Sequence, residues 1–276
     1  MFFLIDYIKM ENCPIFISSS DSYSDLWPIF FDMFKKYWPE FNGVIYLNTE
    51  EKFFSMDGLN IICTNVGKNK TFGVTFRKGL DQIQSAEVLL MMIDYVFMGK
   101  VNDKKIVEYH DFFVQKDLDS LCLVKQGYPN TQKTDNSELH MVNPPAPYVM
   151  FSYQIAFWKK TLLYQMALPH EDPWTSEWYG TKRAEKMHIR LASISEEKYN
   201  PIPYNLAGCL HKGKWLTDAI EHLNSIDYYV DFDKRGYYQE LPSTIIQKIN
   251  FKLKYFKIGL MGSYSDLLMR KKIYNN

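Results

Sequence analysis

The amino-acid sequence predicts an α/β protein: a Rossmann-like, mostly parallel sheet flanked by helices, with a helical C-terminal portion. Short apolar runs alternate with segments of helical periodicity through the first half of the chain, the pattern of parallel strands joined by right-handed crossovers. One run, Val88 to Ile93 (VLLMMI), is apolar without a break, as a central strand buried on both faces requires. With 276 residues and 46% hydrophobic composition, the chain can bury a sizeable core as one large domain or two intimate halves.

Cys13 to Ser18 (CPIFIS) reads as the first strand, opening at its C-terminal end into the polar turn Ser19-Ser20-Asp21-Ser22. From Asp25 onward, Leu26, Phe30, Met33, Phe34 and Tyr37 recur at helical spacing, while Asp32, Lys35 and Lys36 take the other face. Pro28 fits only the first turn of that helix, and Pro39 closes it. Val44 to Leu47 (VIYL) is a second strand and Leu59 to Cys63 (LNIIC) a third. A helix follows with Phe76, Leu80 and Ile83 on one face. Ligands of such sheets bind beyond the carboxyl ends of the strands, which singles out the loops Ser19–Tyr23, Asn48–Glu51, Asn65–Lys70 and Asp94–Tyr95. The polar, proline-bearing stretch Gln126 to Pro147 reads as a long loop. Beyond it the pattern predicts a strand at Tyr148–Phe151, a helix over about Gln154–Ala167, and another opened by Asp172-Pro173.

Lysine plus arginine and aspartate plus glutamate each number 32, and a net charge of zero argues against a general nucleic-acid binder. The charge is unevenly spread. From Lys248 onward the chain carries Lys248, Lys252, Lys254, Lys257, Arg270, Lys271 and Lys272 against Asp266 alone. Ile245, Ile249, Leu253, Phe256 and Leu260 form a stripe with the first four of those lysines mostly off it. That is the pattern of a helix resting on an anionic bilayer surface; packing of the stripe on the body is the alternative. Cys13, Cys63, Cys122 and Cys209 lie far apart, which suits reduced thiols better than disulfides or a zinc site. The opening MFFLIDYIKM lacks a basic n-region and is interrupted by Asp6 and Lys9, so it is a poor signal peptide. No uncharged apolar stretch reaches the roughly 18 residues of a membrane span. A cytoplasmic chain, peripheral to the inner face of the membrane, is expected.

Four places hold residues suited to chemistry. Asp94 ends the most buried strand, where a carboxylate is costly unless it meets solvent, a cation or a donor. It suits a divalent metal bound to a diphosphate, or equally the capping of the next turn. In Asp172 to Trp178 (DPWTSEW), Trp174, Glu177, Trp178 and Thr181 fall on one helical face. A carboxylate between two indoles is partly desolvated, which raises its pKa toward that of a useful base, and the rings offer flat faces to a sugar. The alternative packs both indoles inward with Glu177 at the rim. His211-Lys212-Gly213-Lys214-Trp215 sets two ammonium groups and an imidazole around a glycine, a grip for a pyrophosphate. Arg77 and Lys78 begin a helix after the third strand and are more ambiguous. The other five histidines read as structural or exposed. No GxSxG, P-loop or GxGxxG is present.

Several segments together resemble a family of bacterial glycosyltransferases from capsule, exopolysaccharide and lipopolysaccharide clusters. They are IFISSSDSYSDLWPIFFDMFKKYWPEF, VIYLNTE, EVLLMMIDYVFMGKVN, YQIAFWKK, EDPWTSEWYGTKRA, HKGKW and VDFDKRGYY, in that order over roughly residues 13–240. The PW-x-x-E-x-x-G-x-x-RA segment is the most specific. The resemblance implies a GT-A-like catalytic domain over 1–240, with a nucleotide-binding half at about 13–125 and an acceptor half at about 148–240. The basic amphipathic tail is then 241–276. It implies transfer of a sugar from a nucleotide-diphosphate sugar to a hydroxyl of a surface-polysaccharide or lipopolysaccharide precursor, glycan or lipid-linked, with inversion. Ser20, Asp21, Tyr23, Arg77, Asp94, Lys212 and Lys214 would then face the donor. Gln154, Trp174 and Trp178 would face the acceptor, with Glu177 the base. A divalent cation, Mn or Mg, would sit on Asp94 and His211. One departure stands: the first position of the family's acidic pair is Ile93, leaving Asp94 alone. It motivates a second reading, a non-catalytic nucleotide- or glycan-binding homologue; a peripheral membrane scaffold built on the tail is the third.

Overall fold

Strands β1 (Ile15–Ser18), β2 (Val44–Leu47), β3 (Asn60–Cys63) and β4 (Glu87–Met92) form the parallel half of one large sheet. This is seen in a computed structural model that describes residues 13–68, 71–128, 130–143 and 150–239, together with Lys252, Leu253 and Phe256. β1 is buried along its whole length between β2 and β4, and β4 is buried from Val88 to Met91. The register pairs Ser18 with Met92, so both strands end at the same level.

The sheet continues through β8 (Ala156–Lys159), which runs antiparallel between β4 and β5 (Ser120–Cys122). Then come β9 (Leu191–Ile194), β7 (Leu139–Val142) and β6 (Thr131–Lys133), giving the order β3-β2-β1-β4-β8-β5-β9-β7-β6. Only β8 and β7 run against the other strands, so among the described residues the sheet is mostly parallel. Among the described residues up to 239, the helices that accompany it are α1 (Leu26–Tyr37), α2 (Phe72–Asp81), α3 (Asp103–Gln115), α4 (Lys160–Met166), α5 (Pro173–Lys186) and α6 (Thr217–Ser225). A small hairpin, β10 (Leu210–His211) and β11 (Lys214–Trp215), stands apart from the sheet.

Local chemistry explains most of these bounds. Pro28 is the third residue of α1, where its missing N–H has no helical partner to lose. The apolar stripe of α1 buries Phe30 and Phe34, and Phe34 lies 5.4 Å from both Trp38 and Phe97 between ring centroids. Thr71 caps α2 and Asn102 caps α3, each accepting a first-turn amide on its side-chain oxygen.

Two expectations are corrected. The stretch from Gln126 to Pro147 is not a plain loop, because it contains β6 and β7. β6 is exposed at every residue, so it has no apolar run to announce it; a sheet edge needs none. The helix expected from Gln154 begins only at Lys160, since Ala156 to Trp158 is a buried strand paired on both sides. Pairing with β4 and β5 overrides a local pattern that short apolar runs leave ambiguous. Of the strand expected at Tyr148–Phe151, residues 148 and 149 lie outside the described residues, and Met150 and Phe151 are buried in a bend. The tail helix lies outside them as well, apart from Lys252, Leu253 and Phe256, which are helical and exposed. No helix among the described residues is long and apolar enough to cross a membrane.

Candidate active site

The carboxyl ends of β1, β2 and β4 open onto one cleft of about 580 Å³. β1 delivers Ser18 to Ser20, with Tyr23 from the turn beyond; β2 delivers Glu50; β4 delivers Asp94 and Tyr95. The α1 indole of Trp27 donates to Ser19 Oγ at 2.8 Å, fixing the first of these loops to the core. The described part of the Asn65–Lys70 loop does not line the cleft; Thr71, Phe72 and Thr75 at the start of α2 do.

Asp94 keeps some exposure to the cleft but is set deep, and desolvation pushes its carboxyl up to about 6. Gly208, at φ +77°, packs against it: a Cβ there would lie 2.5 Å from Asp94 Oδ2. The Cys209 amide donates to the Asp94 carbonyl at 2.8 Å, which holds the two segments together.

α5 supplies the facing wall. Asp172 and Thr175 form a reciprocal capping box, and Pro173 is the first helical residue. Deeper in the helix, Arg183 makes a bidentate pair with buried Glu171 at 2.8 and 2.6 Å. Gly180 gives room to Phe151, whose Cδ1 would be 2.5 Å from an added Cβ. The Gly and Arg of the most specific sequence segment therefore seat the helix that carries Glu177. Glu177 Oε1 accepts the Tyr153 amide at 2.8 Å, and burial raises its pKa despite that bond. Trp174 lines the cleft with 58% of its surface exposed. Trp178 does not line it, and its ring lies 5.6 Å from the Lys182 ammonium. The expected bracket of two indoles thus reduces to one, because the residue after Glu177 on the helix points away from the cleft.

The turn of the β10–β11 hairpin forms another wall of the cleft. Lys212 and Gly213 both have positive φ, at 51° and 78°, the signature of a two-residue type I′ turn. His211, Lys212 and Gly213 line the cleft; Lys214, one residue further along the hairpin, does not. The His211 ring meets Tyr238 edge-on at 4.4 Å. Arg235 grips Asp25 through two nitrogens and reaches the carbonyls of Ser22 and Gly213.

Of the residues expected in the site, Ser20, Tyr23, Asp94, Gln154, Trp174, Glu177, His211 and Lys212 share the cleft. Gln154 is held there by two hydrogen bonds, accepting from Tyr204 Oη at 2.7 Å and donating to the Leu206 carbonyl at 3.1 Å. Asp21 does not line the cleft. Its carboxylate accepts the amides of Glu50, Glu51 and Lys52 at 2.9, 2.9 and 3.0 Å, which places Glu50. Arg77 is also elsewhere, stacked 3.9 Å over the Tyr164 ring of α4. Glu50 and Tyr95 fall in loops that the sequence marks, but nothing local marks either side chain. Arg235 falls in the KRGYY segment, a basic residue beside a glycine with no other local signal.

Asp94 and His211 both line the cleft, and as ligands of a divalent cation they would be a sparse set. One carboxylate with an imidazole fits an ion that keeps water and phosphate oxygens for most of its shell, not a protein cage. Among the described residues, the trio close enough to surround one ion is Cys13, Glu87 and His110, at the opposite end of β1 and β4. His110 Nε2 and Glu87 Oε2 are 2.9 Å apart, and burial pushes the Cys13 thiol far up, so that trio reads as an imidazole–carboxylate pair beside an inert thiol.

No family model and no curated protein matches the chain. Among solved structures it is similar to residues 1–349 of S. aureus TarS, at 15% identity and a TM-score of 0.44, covering 67% of this chain and 58% of that one. A complex of the same fragment with UDP-GlcNAc gives 12% identity and a TM-score of 0.42, with 78% and 65% covered. The 2-C-methyl-D-erythritol 4-phosphate cytidylyltransferase from Thermus thermophilus gives 10% identity and a TM-score of 0.45, covering 79% of this chain and 100% of that one.

Proposed function

We propose that the chain is a glycosyltransferase of GT-A-like fold that uses a nucleotide-diphosphate sugar. The observation that carries this reading is the convergence of two desolvated carboxyls, Asp94 and Glu177, and a cationic turn, Lys212, on one cleft at the carboxyl ends of the strands. Glu177 takes the proton of an acceptor hydroxyl as that oxygen bonds to the anomeric carbon. The bond from that carbon to the diphosphate breaks, and its electron pair leaves with the nucleoside diphosphate. A raised pKa makes Glu177 a stronger base, and one base opposite the leaving group favours inversion. Lys212 faces the departing charge, and exposed Trp174 offers an acceptor sugar ring a flat surface. Asp94 and His211 would hold a divalent cation, which when bound neutralises the diphosphate. A surface-polysaccharide or lipopolysaccharide precursor is the acceptor class this reading takes, in a cytoplasmic setting.

Release of nucleoside diphosphate from a panel of nucleotide sugars, with and without acceptors, tests the reading. Glu177→Gln should lower turnover by about two to four orders of magnitude while the donor still binds; near-normal turnover removes Glu177 from the role. Because its pKa is raised, wild-type turnover should climb with pH up to that pKa and then level off. A second reading, donor binding without transfer, is favoured by buried Ile93 in place of a second carboxylate. Nucleotide-sugar binding with no diphosphate release on any acceptor would select it.

A further inference from the structure

We propose that Arg235 is a positioning residue for the donor end of the cleft, locking the His211–Gly213 turn to the Ser22–Asp25 turn so that Lys212 and Tyr23 are held around a nucleoside diphosphate. This rests on the donor-binding reading above.

The guanidinium joins two turns that lie about 190 residues apart in the sequence. Its Nε donates to Asp25 Oδ2 at 2.6 Å, and Nη2 donates to the other oxygen of the same carboxylate. Nη2 also donates to the Ser22 carbonyl at 2.8 Å, and Nη1 to the Gly213 carbonyl at 3.4 Å. The face of the group lies 5.1 Å from the Tyr23 ring centroid. The side chain is only 14% exposed. One planar group thus contacts three residues of the first turn and one of the hairpin.

The backbone around Arg235 is tied to the hairpin independently. The Trp215 amide donates to the Gly236 carbonyl at 3.0 Å, and the Tyr238 amide returns to the Trp215 carbonyl at 2.8 Å. Tyr238 also abuts the His211 ring. Lys212 and Gly213 occupy left-handed backbone, which fixes the shape of the turn that these bonds tie to the Arg235 segment.

Asp25 supplies a second, separate indication. It stands at the N-cap of α1, yet its side chain makes no capping bond to the helix. The residue type best suited to stabilise the helix start is turned toward Arg235 instead. Lysine at 235 would keep the charge but could not hold both carboxylate oxygens and two carbonyls together.

Isothermal titration with UDP, GDP, CDP, ADP and dTDP identifies the diphosphate that wild type binds best. Arg235→Ala should weaken that binding by about tenfold. Asp25→Asn should act similarly, Arg235→Lys less, and the double variant should be no worse than the stronger single one. In turnover, KM for the nucleotide sugar should rise while kcat at saturating donor changes little. Unchanged diphosphate affinity in the variants overturns the inference. So does a lowered melting temperature with the KM-to-kcat pattern of wild type, which is what a purely structural role gives. Should Arg235→Ala not fold, Arg235→Lys and Asp25→Asn are read by the same criteria. If wild type binds none of the five diphosphates, the donor-binding reading itself fails and takes this inference with it.

Discussion

A carboxylate at the end of a buried strand has its charged form penalised by desolvation, and Asp94 is held near 6 for that reason. The sign of the effect on stability follows. Between its ordinary value of 3.8 and about 6, the native chain keeps a proton that the unfolded chain has lost, so this group's contribution falls as pH rises through that window. Asp94→Asn should therefore stabilise the protein at pH 7.5 by about 1–3 kcal/mol, and hardly at all near pH 3.5. Thermal unfolding in EDTA at both pH values measures this, and equal shifts at the two would contradict it. The same variant should weaken nucleotide-sugar binding, setting function against stability at one side chain. Asp94 and Glu177 could be picked out of the sequence because strand ends and helix starts leave local marks. Asp21 could not be read correctly: a loop aspartate looks the same whether it faces a ligand or caps three amides about 30 residues away. Arg235 had still less signal, since its carboxylate partner is 210 positions away.

Elements were most legible where one face is buried and the caps are explicit. The stripe of α1, the Asp172-Pro173 start of α5 and the strand Val44–Leu47 all match the structure. Failure came where pairing decided, as in β8, or where an edge strand had no apolar pattern, as in β6. The lysine-flanked C-terminal stripe belongs to the same class of question, because its partner is external to it. Leu253 and Phe256, two members of that stripe, are 60% and 68% exposed. We propose an anionic membrane surface as the partner of the tail, with each lysine near it contributing roughly 1 kcal/mol. Sedimentation with anionic liposomes at low salt should carry the protein down. High salt, neutral liposomes or removal of residues 241–276 should abolish this. Equal, negligible binding to both liposome types would leave the tail without a membrane role.

The nine-stranded sheet unites two stretches of chain that the sequence presents as halves. The division at about residue 125 is a boundary of pattern, because β8 from the second half is inserted between β4 and β5 of the first. A fragment of residues 13–125 would lack the strand that covers the β4 edge, an exposed and strongly apolar edge prone to association. Such a fragment should be recovered mainly as aggregate, whereas a fragment extended to residue 239 should stay monodisperse. Size-exclusion chromatography of the two distinguishes these outcomes, and a monomeric 13–125 would show that the first half closes on its own.

The same insertion sets a timetable for synthesis. β4 is complete once Met92 has been made, but its neighbour β8 begins only at Ala156. At elongation rates on the order of 5–20 residues per second, the ribosome spends several seconds between the two. β5 emerges in that interval, but its partners in the finished sheet are β8 and β9, not β4. The nascent chain therefore carries an open, apolar strand edge for seconds at a time. Holdases that cover an apolar strand edge, and the speed of translation over residues 93–155, are then expected to affect the yield of folded protein.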